Sequence, residues 1–437
     1  MVNLYNRFAR FVAYSLLAYG SIYYQIFTIV MMKKRIPITQ RNKNNISFFV
    51  CCDGNGHFTQ FMELANIIKK RSDKKVVSVY LNCNEYVKIP QYVTRFCHDN
   101  EISIEYFYGI SLNQFFNDGK VEYGNAFLTS VWNIPKILTY TNNVVKTLNK
   151  SQCGTMINLF SGDYALMSYA SNLGCDTLFM ATQLKYMIEG ACRPEVNTFM
   201  DWIGASAIYL LSNMMSIPPK TKSVCISPLP LPSQATSSLH SDSAPPLPST
   251  ISSLLGNIDV IPAVTKFKST DRMCEKDRKG KLICVYSLYE LYVGHIIDVS
   301  THFKDVDFVV FTPTSSMYTT ENVTVHPLDK ERFRFTMCRA NIYIGTAGVE
   351  SVCEAITLKL PIITIPVDDH YEQYTNAFMF SKNMSQIHTV SSFSNVSGIV
   401  EKIDHILNSN LQQYEQECER VIRYYETLES RVNFLLP

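Results

Sequence analysis

Two stretches of this chain share one grammar, and that grammar leaves few folds open. Ile46-Ser47-Phe48-Phe49-Val50-Cys51-Cys52 is a short, apolar, β-rich run that ends at Asp53-Gly54-Asn55-Gly56. Ile342-Tyr343-Ile344 ends in the same way at Gly345-Thr346-Ala347-Gly348. A buried strand running into a small-residue turn opens a βα unit. After the first turn, Phe58, Phe61, Met62, Ala65 and Ile68 recur at helical spacing, and 76–81 supplies the next strand. Strand, turn, helix, strand is a βαβ unit and requires a parallel sheet.

Further apolar runs at 102–108, 155–160 and 177–181 extend this first α/β domain over 45–216. A second α/β pattern begins at Lys281-Leu282-Ile283-Cys284-Val285-Tyr286. Its later strands are expected at 307–311, 323–325, 341–345 and 361–365. A closing helix is expected near 397–432, from Ile399, Ile403, Ile406, Leu407 and Leu411, which gives a second domain of 280–432. The stretch 217–270 differs, with Ile217-Pro218-Pro219, Ser227-Pro228-Leu229-Pro230-Leu231-Pro232 and Ala244-Pro245-Pro246-Leu247-Pro248 among Ser and Thr. Such a composition buries too little apolar surface to offset its ordering entropy, so it reads as a Pro/Ser-rich linker or insertion. A proline-rich docking site is the other reading. Two α/β domains leave a cleft between them, a common place for a substrate.

The chain has 437 residues and a net charge of +2, so nothing points to nucleic acid, whose binders carry a basic face. None of its 13 cysteines forms a C-x-x-C pair, which removes zinc-ribbon and thioredoxin-type chemistry. Cys51, Cys52, Cys284 and Cys353 lie in apolar runs and read as buried free thiols in a reducing compartment. Residues 11–32 contain no Asp, Glu, Lys or Arg, the length a bilayer core requires. Lys33, Lys34, Arg35, Arg41 and Lys43 follow, against Arg7 and Arg10 before. The positive-inside rule then gives a single-pass membrane anchor with the body in the cytosol. A cleaved signal peptide ending near Ala18-Tyr19-Gly20 is the rival. The sequons at Asn45, Asn322 and Asn395 matter only in the reversed topology.

In the second domain a helix is expected to start near Val349. Its N-terminus would offer unpaired N–H groups and a partial positive charge to a phosphate, at a turn whose small residues admit a ligand. Ser351 adds a hydroxyl, and Glu354, one turn on, can accept from both hydroxyls of a ribose. The same residues also suit a plain strand-to-helix turn with a solvated Glu354. Further on, a strand stops at Pro366, and Glu372 and Gln373 stand near its carboxyl end, where ligands of open α/β sheets bind. In the first domain, Gly54-Asn55-Gly56-His57 lacks the third glycine of a dinucleotide fingerprint and has no Gly-Lys-Ser/Thr, so it is neither that motif nor a P-loop. It places His57 at a helix N-terminus, where the dipole favours the neutral imidazole that a general base needs. A simple capping role is the alternative. No metal site is expected: Asp305-Val306-Asp307 runs into an apolar strand, and His295, His302 and His326 lack ligand spacing.

These segments resemble the GT-B glycosyltransferases, especially the MurG-like family 28 group and its uncharacterised prokaryotic relatives. The match lies in Gly54-Asn55-Gly56-His57, then Ala347-Gly348, Glu354, Pro361, Pro366 and Glu372-Gln373-Tyr374-Thr375-Asn376-Ala377. The resemblance implies two Rossmann-like domains facing a central cleft, here after an N-terminal transmembrane helix. It implies an enzyme that moves a sugar from a nucleotide donor, a UDP-sugar, to a hydroxyl by metal-independent inverting displacement. Gly54, Asn55 and Gly56 would form the acceptor loop, and His57 would be the base. Gly348 and Ser351 would sit near the donor diphosphate, Glu354 at the ribose, and Glu372 and Gln373 at the sugar. Thr346 stands where many plant and animal relatives have a phosphate-contacting histidine, and Glu372 replaces their aspartate. No cofactor is implied beyond the nucleotide sugar, and the anchor makes a lipid or lipid-linked acceptor the natural partner. Two other readings of the same fold are a nucleotide-sugar epimerase and a non-catalytic subunit that anchors or regulates a partner.

Overall fold

The computed structural model describes residues 41–52, 55–82, 89–107, 116–117, 120–121, 140–159, 170–187, 221–230, 258–272 and 280–436, apart from isolated positions. The expected membrane segment 11–32 and Gly54 lie outside the described residues. Among the described residues no helix is long and apolar enough to cross a membrane.

The first domain runs β1 (Asn42–Val50), α1 (Asn55–Lys69), β2 (Lys75–Asn82), α2 (Gln91–Asp99), β3 (Ser103–Phe107), β4 (Cys153–Leu159), β5 (Asp176–Ala181), β6 (Thr221–Ser227) and β7 (Asp259–Pro262). The sheet order is β3-β2-β1-β4-β5-β6-β7, with every pairing parallel. Its strands bury both faces. Phe48 and Val50 point into one core, while Phe49 packs with Tyr80 and Phe107 in another. A strand covered on both sides reads as a continuous apolar run, as β1 does.

The boundary drawn from composition needs correction at this sheet. The stretch 217–270 contributes β6 and β7 to it, and the residues between them, 231–257, lie outside the described ones. Thr221-Lys222-Ser223-Val224-Cys225-Ile226-Ser227 is a buried strand whose signal is masked by the prolines on either side.

The second domain continues with β8 (Lys281–Tyr286), α3 (Val293–Ser300), β9 (Val306–Thr312), β10 (Tyr318–Thr320), β11 (Val323–Pro327), α4 (Lys330–Arg339), β12 (Ile342–Gly345), α5 (Val349–Thr357), β13 (Ile362–Thr364), α6 (Tyr371–Asn383) and β14 (Ile387–Thr389). Its sheet order is β10-β11-β9-β8-β12-β13-β14. Strand β10 runs antiparallel to β11, and every other pairing is parallel. Asp307 lies within β9, opposite Leu282 of β8, as a strand residue. Three helices, α7 (Val396–Leu407), α8 (Gln412–Tyr425) and α9 (Leu428–Leu435), replace the single closing helix. The first break has a visible cause: the Asn410 side chain accepts from Gln412 N–H at 2.9 Å and turns the chain out of α7.

One hydrophobic cluster joins the two domains. It includes Phe48 and Phe61 of the first, Tyr343, Val352 and Phe380 of the second, and Tyr414 and Leu435 of the closing helices. A separate cluster, with Ile283, Val285, Ile296 and Ile403, fills the far face of the second sheet. The last helices return to the first domain. Tyr425 donates to the Pro228 carbonyl at 2.8 Å, Arg431 to the Val260 carbonyl at 3.0 Å, and Arg71 to the Leu436 carbonyl. Tyr425→Phe leaves the buried Pro228 carbonyl without its donor. It should lower stability in urea unfolding by about 1–2 kcal/mol, and an unchanged midpoint would show that this return contact holds nothing.

Candidate active site

In both sheets the strand order reverses beside the first strand, between β1 and β4 and between β8 and β12. Open α/β sheets bind ligands outside the carboxyl ends of their strands at such switch points. Both turns singled out in the sequence lie there.

In the second domain the turn is Thr346-Ala347-Gly348, and α5 starts at Val349. Gly348 is its N-cap, with φ −70° and ψ 134°, and no side chain caps the helix. The N–H groups of the first turn, from Val349 to Ser351, have no carbonyl of their own helix to bond and sit at its positive end. Thr346 is buried, and its carbonyl accepts from Gly348 N–H at 2.8 Å, which closes the turn. Ser351 turns its hydroxyl back to the Gly348 carbonyl at 3.3 Å. A Cβ on Gly348 would meet only the Ser351 hydroxyl, at 3.8 Å, so the turn keeps open space beside its backbone.

The Glu-Gln-x-x-Asn-Ala run braces these loops from α6. Asn376 donates to the Ala347 carbonyl at 2.9 Å. Gln373 accepts from Val367 N–H at 3.0 Å, so its carbonyl end is engaged by the loop after β13 and its amide NH2 end takes no part in that bond.

In the first domain α1 starts at Asn55, so Gly56 and His57 lie inside its first turn and not in a turn ahead of it. His57 is half-buried there. The N-terminal turns of α1 and α5 face each other across the domain seam. The Glu350 carboxylate stands 2.4–2.7 Å from where a Cβ on Gly56 would lie. It also accepts from the Gln60 side chain at 2.6 Å. His57, Gly56, Gly348 and Ser351 are thereby gathered at one mouth.

Glu354 lies one turn deeper in α5 and is 9% exposed. Burial pushes its carboxyl up to about 7, against the pull of Lys266, Lys330 and Arg334 and with a further push from Glu350. Lys266, half-buried, is pulled down to about 8 by desolvation. Lys330 lies 4.1 Å above the ring of Tyr92, which comes from α2, and burial followed by the charge of Glu354 raises the Tyr92 hydroxyl to about 12. Glu354 therefore belongs to the seam and is not a solvated helix residue.

Three contributors escaped the sequence reading. Gln60 and Glu350 meet only after folding, 290 positions apart. Lys185, 2% exposed in the 3-10 turn Thr182–Met187 after β5, donates to the Asn376 side-chain oxygen. Its one sequence signal is its place at the carboxyl end of a buried strand. A cavity of about 490 Å³ opens elsewhere, between the end of α6, β14, α7 and α8, and shares no residue with this mouth.

Comparison with known proteins agrees with the geometry. Residues 289–426 match the glycosyltransferase family 28 C-terminal domain. That stretch makes the second domain similar to glycosyltransferase family 28. No curated protein matches the chain in sequence. Among solved structures the glycotransferase of kitacinnamycin aligns at TM-score 0.56 and 10% identity, over 90% of this chain and 98% of that one. Spinosyn rhamnosyltransferase SpnG, complexed with thymidine diphosphate, aligns at 0.55 and 8%, over 90% and 99%. A UDP-glucosyltransferase from Polygonum tinctorium aligns at 0.53 and 11%, over 91% and 96%. At such identities the likeness is one of fold, and the fold is GT-B. With its family 28 domain the chain is a sugar-transferring enzyme.

Two outcomes follow from the site's electrostatics and space. The folded Glu354 holds a proton that the unfolded chain has lost between pH 4.5 and about 7. Its stabilising effect is present below the lower value and disappears as pH rises through the upper one. Thermal melts of Glu354→Gln should match wild type near pH 4.5 and exceed it near pH 8, by on the order of 2 kcal/mol. Gly348→Ala should fold with unchanged stability, because its Cβ has room, yet lose affinity for a nucleoside diphosphate at least tenfold in calorimetry. Intact affinity would mean that no ligand approaches that backbone.

Proposed function

We propose that this enzyme binds a nucleotide sugar, UDP-linked, in the second domain and passes the sugar to a hydroxyl acceptor held by the first. The observation that carries this reading is the meeting of the α1 and α5 N-terminal turns across the seam. A donor diphosphate set on the α5 turn would have Gly348 beside it, first-turn N–H groups directed at it, the positive helix end behind it, and the Ser351 hydroxyl within the same turn, rotating from the Gly348 carbonyl to meet it. Glu354 would accept from the ribose hydroxyls, whose donation favours the ionised carboxylate that burial alone opposes. Glu372 and the amide end of Gln373 would hold the sugar. That a solved neighbour binds thymidine diphosphate and another is a UDP-glucosyltransferase supports a donor of this class.

His57, across the mouth, takes the proton of the acceptor hydroxyl as the oxygen attacks the anomeric carbon. The diphosphate leaves from the opposite face, so that carbon inverts. Negative charge grows on the leaving diphosphate, and the α5 N-terminus is already oriented to meet it, which lowers the barrier without reorganisation and without a metal. Glu350 stands between the two helix ends and must swing aside when an anionic donor enters. The apolar stretch 11–32 supports a body tethered to the cytosolic face of a membrane, with a lipid or lipid-linked acceptor.

Calorimetry and product assays test the roles separately. Glu354→Ala should abolish UDP binding. His57→Ala should keep UDP affinity within about twofold and slow transfer by at least about 100-fold. Unchanged UDP affinity in Glu354→Ala would remove the ribose assignment.

A further inference from the structure

Strand β12 carries a hydroxyl that the reading above does not use. Ile342 and Ile344 turn into the core on the far face of the second sheet, and alternation sends Tyr343 between them to the opposite face, into the cluster shared by the two domains. Phe333 of α4 meets its ring edge-on, with centroids 6.4 Å apart. From there the ring runs along the strand toward its carboxyl end, so that a Cβ on Gly345 would collide with the Tyr343 hydroxyl and Cζ. Glycine at 345 thereby lets the hydroxyl lie beside the residue that precedes the turn Thr346-Ala347-Gly348. Tyr343 is 0% exposed, and its hydroxyl has no hydrogen-bond partner among the described residues. A buried donor left unpaired costs stability that a phenylalanine in the same space would not. Burial holds the phenol well above its ordinary range, and Cys284, Tyr286 and Glu354 add to the rise, so the oxygen keeps its proton. Ser351 acts in the opposite sense: its hydroxyl lies where it would stabilise charge on that oxygen. Ser351 itself donates to the Gly348 carbonyl at 3.3 Å, beyond the usual length of a hydroxyl bond.

We propose that Tyr343 is a positioning residue of the donor site, whose hydroxyl donates to the Ser351 oxygen once the Ser351 hydroxyl turns to the donor's diphosphate. The inference rests on the donor reading above. A hydroxyl has one proton to give and two places to accept. When Ser351 directs its proton at a phosphate oxygen, its own oxygen becomes the acceptor that Tyr343 lacks. The result is a chain from Tyr343 to Ser351 to phosphate in which each bond polarises the next. No proton changes owner. As the sugar departs, negative charge grows on the diphosphate and the chain tightens, so its effect falls on transfer as well as on binding.

Calorimetry on the full chain with UDP, inorganic pyrophosphate and uridine, together with thermal melts, tests it. Tyr343→Phe should weaken UDP and pyrophosphate about fivefold, the worth of one hydrogen bond, and leave uridine affinity unchanged. It should melt at or above the wild-type temperature, since it removes an unpaired buried hydroxyl. Ser351→Ala should lose at least as much UDP affinity. Adding Tyr343→Phe to Ser351→Ala should then cost less than about twofold more, because the phenol acts through Ser351. If wild type binds UDP and Tyr343→Phe binds it equally well, the hydroxyl takes no part and the proposal falls alone. A Tyr343→Phe variant that melts well below wild type and loses uridine and UDP alike has lost a structural hydroxyl, which overturns it too. Additive losses in the double variant would overturn the route through Ser351. If wild type binds neither UDP nor pyrophosphate, the donor reading falls and takes this one with it.

Discussion

The shared hydrophobic core between the two domains is the constraint on which the site depends. Domains of one chain commonly meet through modest, polar interfaces and move freely. Here Phe61, Val352, Phe380, Tyr414 and Leu435 belong to one buried cluster, and α8 and α9 carry it from the second domain back onto the first. Packing of this kind is intolerant of displacement, because interiors are close-packed and resist small shifts. It brings the two topological switch points mouth to mouth. The polar contacts across the seam, Gln60 to Glu350 and Lys185 to Asn376, are consequences of that frame and not its cause.

On that frame the seam concentrates charge in a place of low dielectric. Glu354 is pushed up, and Lys266 and Lys185 are pushed down, in each case first by burial. Every one of these groups is driven toward its neutral form, the direction in which desolvation acts on a charge. Glu350 fits the same logic. A carboxylate against Gly56, at the positive end of α1, occupies a position suited to an anion.

What the sequence revealed follows a physical division between local and distant contacts. The turn from Ile342 to Glu354 is one βα unit, so its strand, N-cap glycine and helix start near Val349 are written in consecutive residues, and the structure places them there. The βαβ opening of the first domain was legible for the same reason, although its helix starts at Asn55 and absorbs Gly56 and His57. Strands β6 and β7 were not legible, because prolines and serines around them dominate any windowed reading while the strands' partners lie elsewhere in the chain. Lys185 was illegible in a stronger sense. Only its place at the carboxyl end of a buried strand marks it, and its partner Asn376 lies 191 positions away. Gln373 has a role its motif does not announce: its oxygen accepts from Val367 N–H and ties down the loop after β13.

Two glycines make the distinction concrete. At Gly56 the place of a Cβ is taken by the Glu350 carboxylate, so glycine is required by a contact from the other domain. At Gly348 that place is open to within 3.8 Å, so no contact within the protein requires glycine there. The family resemblance covers 289–426, within the second domain, because the family it matches is that of a C-terminal domain. Solved transferases with 8–11% identity share this fold over nine-tenths of the chain, while contacts such as Gln60 to Glu350 and Lys185 to Asn376 are visible only once the two sheets are brought together.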